Sequence, residues 1–154
     1  MRDPERLVQI GREWIEKADN DLLAAAHTLT LGEDCPCYTV CFHAQQCVEK
    51  YLKAFLAFES IDFPKTHDIE RLIALSPARL KISLNAEQQR RLTQHATVLR
   101  YPGDYPSNSF TARPPAARLA RRISEYLREK MTPAAPALKA AVVESKTSCG
   151  SVFF

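Results

Sequence analysis

Tyr38 to Phe58, YTVCFHAQQCVEKYLKAFLAF, is apolar enough to be buried yet carries Gln45, Gln46, Glu49, Lys50 and Lys53 within it. Cys41, Ala44, Val48, Tyr51, Phe55 and Phe58 recur at steps of three and four, the spacing that gathers side chains on one face of a helix. A second apolar line through Phe42, Leu52 and Leu56 widens the stripe, so this helix must touch neighbours on more than one side. The pattern predicts a central helix around which the remaining chain packs. Glu49 stands four residues before Lys53, the order that supports a helix by about 0.2–0.5 kcal/mol.

Upstream, Leu7, Ile10, Trp14, Ala18, Leu22, Ala25 and Leu29 hold the helical period from about Glu5 to Leu31, with Asp3 as cap, Pro4 in the first turn and Gly32 as stop. The turn from Gly32 to Pro36 is short, so the first and central helices are expected to lie antiparallel. Asp21, at the edge of the stripe, reads as a boundary carboxylate paired with an Arg or Lys. After Phe58, Ser60 to Lys65 breaks the pattern. Thr66 is the predicted N-cap of a short helix to Leu75, with Ile69, Leu72 and Ile73 inward and His67 and Asp68 in a capping role in its first turn.

Asn85-Ala86-Glu87-Gln88 has the form of a capping box and opens a helix predicted to reach about Leu99, burying Leu92, Ala96 and Leu99. Pro102 and Gly103 end it at a sharp corner, Arg100 to Pro106. Pro114 and Pro115 fit the opening of a last helix, whose core stripe is Ala116, Leu119, Ala120, Ile123, Tyr126 and Leu127, up to Met131. Its other face carries Arg118, Arg121, Arg122 and Arg128, either a solvated face or a phosphate-binding surface. From Thr132 onward no period is usable. The fold class expected is all-α: an antiparallel four- to five-helix bundle over residues 1–131, followed by a flexible, disordered C-terminal tail over 132–154.

With 154 residues and 45% hydrophobic content, the chain suits one domain with one core. A net charge of +3 excludes a strongly basic nucleic-acid binder, so any such role must rest on local clustering. Five cysteines, an odd number, and the lack of an apolar leader suggest a reducing, cytoplasmic setting, and no apolar run is long enough to cross a bilayer. Cys35, Cys37, Cys41 and Cys47 with His43 are crowded on one segment, unlike the two distant pairs of a structural zinc site. No metal and no cofactor are expected, and His27 reads as structural.

The run Ala44-Gln45-Gln46-Cys47-Val48-Glu49-Lys50-Tyr51-Leu52-Lys53-Ala54, then Pro64-Lys65-Thr66-His67-Asp68-Ile69, then Leu99-Arg100-Tyr101-Pro102 resembles the HEPN domain family over about Glu13 to Met131. The resemblance implies a helical bundle, usually a homodimer, of the kind found in RNA-cleaving toxins and beside minimal nucleotidyltransferases. It implies an RNA or nucleotide ligand and a nucleotidyltransferase-family partner. Arg100, Arg118, Arg121 and Arg122 would hold phosphate, with Tyr101 and Tyr105 beside them.

Catalytic members of that family carry an Arg followed, four to six residues on, by a His. They cleave RNA without metal, the His moving the 2′-hydroxyl proton and the Arg stabilising phosphate charge. Arg100 sits where the family Arg is expected, but Tyr105 stands in the place of the His. A phenol of pKa about 10 is a poor base near neutrality. Arg90 and His95 match the spacing earlier, inside a predicted helix. Three readings follow: a binding and regulatory module of toxin–antitoxin type, an active metal-independent endoribonuclease using Arg100 or Arg90 with His95, and a non-catalytic interaction scaffold.

Overall fold

The computed structural model describes residues 4–96 and 113–131. These form α1 (Pro4–Leu29), α2 (Cys37–Phe58), α3 (Ile69–Leu75), α4 (Ala86–Ala96) and α5 (Arg113–Met131), with a 3-10 turn at Gly32–Asp34 and no strand among the described residues. The expected all-α class is what the helical periods deliver. The Arg100–Pro106 corner, including Tyr101 and Tyr105, lies outside the described residues, as do Leu99 and the 132–154 tail.

The α1–α2 hairpin closes on small residues. Gly11, Ala18 and Ala25 repeat every seven positions on α1 and are all buried, which lets the two backbones approach. At Gly11 an added Cβ would lie 2.5 Å from the Phe58 ring, so this contact exists only because the side chain is a hydrogen. Of the predicted inward line, Ala18 and Ala25 are buried in that seam, whereas Leu7, Ile10, Trp14, Leu22 and Leu29 are half-buried on its flanks. Gly32, with φ of 61°, makes the reversal after α1, which ends at Leu29.

α2 is the central element. Val48, Tyr51, Leu52, Ala54 and Leu56 have no exposed surface. It ends in a Schellman motif: the Ile61 amide donates to the Leu56 carbonyl at 2.9 Å and Ser60 to Ala57 at 3.0 Å. Ser60 takes the left-handed position at φ 57°.

The short helix differs from expectation at its start. Asp68, not Thr66, is the N-cap, accepting from the Arg71 amide at 3.2 Å, while Thr66 Oγ1 accepts from the Asp68 amide at 3.1 Å. A carboxylate is the stronger acceptor beside a helix N-terminus. His67 and Asp68 therefore precede α3. The α4 box forms as read: the Asn85 amide donates to Gln88 Oε1 at 3.0 Å and the Gln88 amide to Asn85 Oδ1 at 2.9 Å. Ile69 of α3 donates to Thr93 Oγ1 of α4 at 3.1 Å, joining the two helices.

α5 returns to the hairpin. Ala117 clusters with Val40 and Arg128 meets Tyr51, so α5 runs parallel to α2 and antiparallel to α1. Ala120, Ile123, Leu127 and Met131 enter the core. The segment before α4 is held down by Leu80 and Leu84, and the Lys81 amide donates to Tyr126 Oη of α5 at 2.9 Å. No helix among the described residues is long and apolar enough to cross a membrane.

Candidate functional site

The polar residues inside α2 are there because α1, α5 and the loop before α3 offer them partners. Tyr51 donates its hydroxyl to Asp19 of α1, and Arg128 of α5 donates to both the Tyr51 oxygen and Asp19. Three helices are thus tied by one carboxylate. Burial, with the Asp19 charge adding to it, pushes the Tyr51 phenol well above its ordinary value, so it stays protonated and a donor.

A second cluster lies on the other flank of α1. Asp21 meets the Lys50 ammonium on one oxygen and His43 Nδ1 on the other at 2.8 Å. The boundary carboxylate expected at Asp21 has its basic partner, and a histidine besides. Cys47, without exposed surface, sits between the clusters; burial first, then Asp19 and Asp21, raise its thiol pKa and leave it unreactive.

The third cluster surrounds Glu49, which is 2% exposed. Its carboxylate accepts from Lys53 Nζ at 2.7 Å and Gln45 Nε2 at 2.9 Å, and His67 Nδ1 lies 3.0 Å from Oε2. An ionised carboxylate only accepts, so Nδ1 carries the hydrogen and Nε2 faces outward on a side chain that is 56% exposed. Lys53 also lies over the Trp14 ring, 5.1 Å from its centroid. Sequence reasoning assigned His67 to capping and missed this pair. The signal was present: Glu49 and His67 fall in two of the blocks that carry the family resemblance.

The basic face of α5 divides. Arg128, grouped there from sequence, is turned inward onto Asp19 and Tyr51 because it lies on the helix side that meets α1 and α2. Arg118, Arg121 and Arg122 are exposed, and among the described residues no carboxylate pairs with them. Arg118 and Arg121 border an open groove of about 210 Å³, whose other walls are Leu22, Ala26 and Leu29 of α1 and Ala117 of α5. Guanidiniums beside an apolar floor can hold an anionic group attached to an apolar body.

Arg90 and His95 do not share a face. Five helical residues turn through about 140°; Arg90 is exposed, whereas His95 is half-buried with its Nδ1 unpartnered among the described residues, and burial lowers its pKa. Arg100, Tyr101 and Tyr105 lie outside the described residues. No group of three or more His, Cys, Asp or Glu able to hold a metal occurs among the described residues, and Cys35, Cys37, Cys41 and Cys47 form no disulfide there.

The family model described as HEPN domain matches residues 12–131. No curated protein and no solved structure matches the chain.

Proposed function

The chain belongs to the HEPN domain family, and from that premise we propose that it is a binding and regulatory module that engages RNA or a nucleotide. It does so as a homodimer, in a toxin–antitoxin-type or regulatory partnership with a minimal nucleotidyltransferase. The observation that carries this reading is the contrast in charge satisfaction. The carboxylates of the interior, Asp19, Asp21 and Glu49, are saturated with donors. Arg118, Arg121 and Arg122 stand exposed on α5, with no carboxylate partner among the described residues. Cations clustered on one helix face of a chain with little net charge give a local polyanion surface. Arg100 and Tyr101 are proposed to extend that surface.

The test uses a fluorescein-labelled single-stranded RNA of mixed sequence and fluorescence anisotropy across a salt series. Substituting Arg118, Arg121 and Arg122 together by Ala should abolish most binding and lower the salt slope by about 2, since each phosphate contact to a single strand contributes about 0.7. Their exposure means the fold should survive, which a melting curve checks. Unchanged affinity in the triple variant would sink the reading. The same RNA, incubated with metal-stripped protein and analysed for cyclic-phosphate ends, reports on the endoribonuclease alternative.

A further inference from the structure

We infer that the groove between α1 and α5 takes one nucleotide unit of a single nucleic-acid strand, its phosphate across Arg118 and Arg121 and its ribose or base on Leu22, Ala26, Leu29 and Ala117. This rests on the RNA-binding reading and adds where and in what form the strand is held.

The groove is an ion-pair rung with its acid missing. Arg121 precedes Arg128 by seven positions on α5, and Ala26 follows Asp19 by seven on α1. Seven residues return to within about 20° of the same helical direction. The two helices are antiparallel, so the lattice that sets Arg128 against Asp19 sets Arg121 against Ala26, and both border the groove. One guanidinium is neutralised within the chain; the next meets a methyl group. Arg118, three positions before Arg121, brings a second guanidinium to the same opening.

The lining distinguishes between anionic ligands. Arg122 stands four positions after Arg118 and is exposed, so cations continue along α5 from the groove at the i,i+3 and i,i+4 spacing of about 5–6 Å, close to the step between successive phosphates of a strand. A duplex keeps its bases stacked and offers only its backbone, leaving the aliphatic floor unused. A single strand can turn one unit inward, cover Leu22, Ala26 and Leu29, and keep its neighbouring phosphates on the arginines.

The test is anisotropy on the full chain with the labelled single-stranded RNA and with the same RNA as a duplex. Wild type should prefer the single strand. Ala26→Leu fills the floor without changing charge and should weaken single-strand binding about tenfold while duplex binding stays within about twofold. A second measurement on the wild type removes dependence on the variant's folding: 4-thiouridine placed in the same probe should photocross-link to the Leu22–Leu29 segment. Equal affinity for the two forms, an Ala26→Leu protein that binds like wild type, or cross-links confined to other segments would overturn the groove assignment. Where Arg118→Ala and Arg121→Ala still weaken binding, the basic-face reading survives that result; absence of any wild-type binding ends both.

Discussion

Arg128 and Arg121 lie seven positions apart on one face of α5, and they meet different surroundings. Opposite Arg128 is Asp19, and Tyr51 completes a triad that ties α1, α2 and α5. At the corresponding place opposite Arg121 is Ala26, and the space opens as a groove. The same cation on the same helix face is a structural tie in one place and an open contact in the other. Charge counted along a sequence cannot separate these outcomes, because the partner is more than a hundred positions away.

The sharpest way to break the comparison is at its closed end. Arg128→Ala takes the counter-ion from Asp19, to which the Tyr51 hydroxyl alone of the triad then donates, in a largely enclosed site. Removing one partner of a buried pair costs about 3–5 kcal/mol; because both side chains here are nearly a fifth exposed, at 19% and 18%, about 2–4 kcal/mol is expected. Urea denaturation measures this through the midpoint. A loss under about 0.5 kcal/mol would mean that the triad is not a tie.

Tyr51→Phe is milder. It keeps the ring in the core and the Arg128–Asp19 pair, and removes one hydrogen-bonded hydroxyl, for about 1–1.5 kcal/mol. It also changes the alkaline limb of stability. The folded-state pKa values of Tyr51 and Cys47 are raised above those of the unfolded chain, so their contribution is complete below the unfolded values of about 10 and about 8.5. It is lost as pH rises through and beyond them, because the unfolded chain then releases protons that the folded chain retains. Stability should fall above about pH 8.5, and Tyr51→Phe should flatten the part above pH 10. His95 acts at the other end: its depressed folded value makes stability decline as pH falls below about 6.5, and His95→Gln should remove that component.

The fold was legible wherever a period or a cap is local. The stripe of α2, the reciprocal Asn85–Gln88 bonds and the antiparallel hairpin all follow from residues within a turn or two of one another. What escaped was pairing across helices. Nothing within α5 distinguishes Arg128 from Arg121, and nothing within the Thr66–Asp68 segment announces that His67 reaches Glu49 rather than serving as a cap. The seam of α1 was only partly legible: Ala18 and Ala25 belong to the predicted stripe and are buried, but Gly11 carries no apolar signal, and its lack of a side chain is what admits the Phe58 ring. The candidate site inherits this limit, since the groove is defined by what Ala26 lacks.

The smallest expected effect tests the comparison at its open end. Ala26→Glu supplies the missing acid, and three terms nearly cancel. A partly exposed Glu–Arg pair contributes about 0.2–1 kcal/mol. Replacing Ala by Glu in a helix costs a few tenths, and a carboxylate in the last turn of α1 meets the negative end of the helix dipole at about 0.3–1 kcal/mol. Net stability should therefore move by less than about 0.5 kcal/mol, far below the loss at Arg128. The informative quantity is the coupling, from a double-mutant cycle with Arg121→Ala, in which the propensity and dipole costs drop out. A coupling of about 0.2–1 kcal/mol that shrinks with added salt places Arg121 across from position 26; zero coupling means that Arg121 points past α1, and the equivalence of the two rungs fails there.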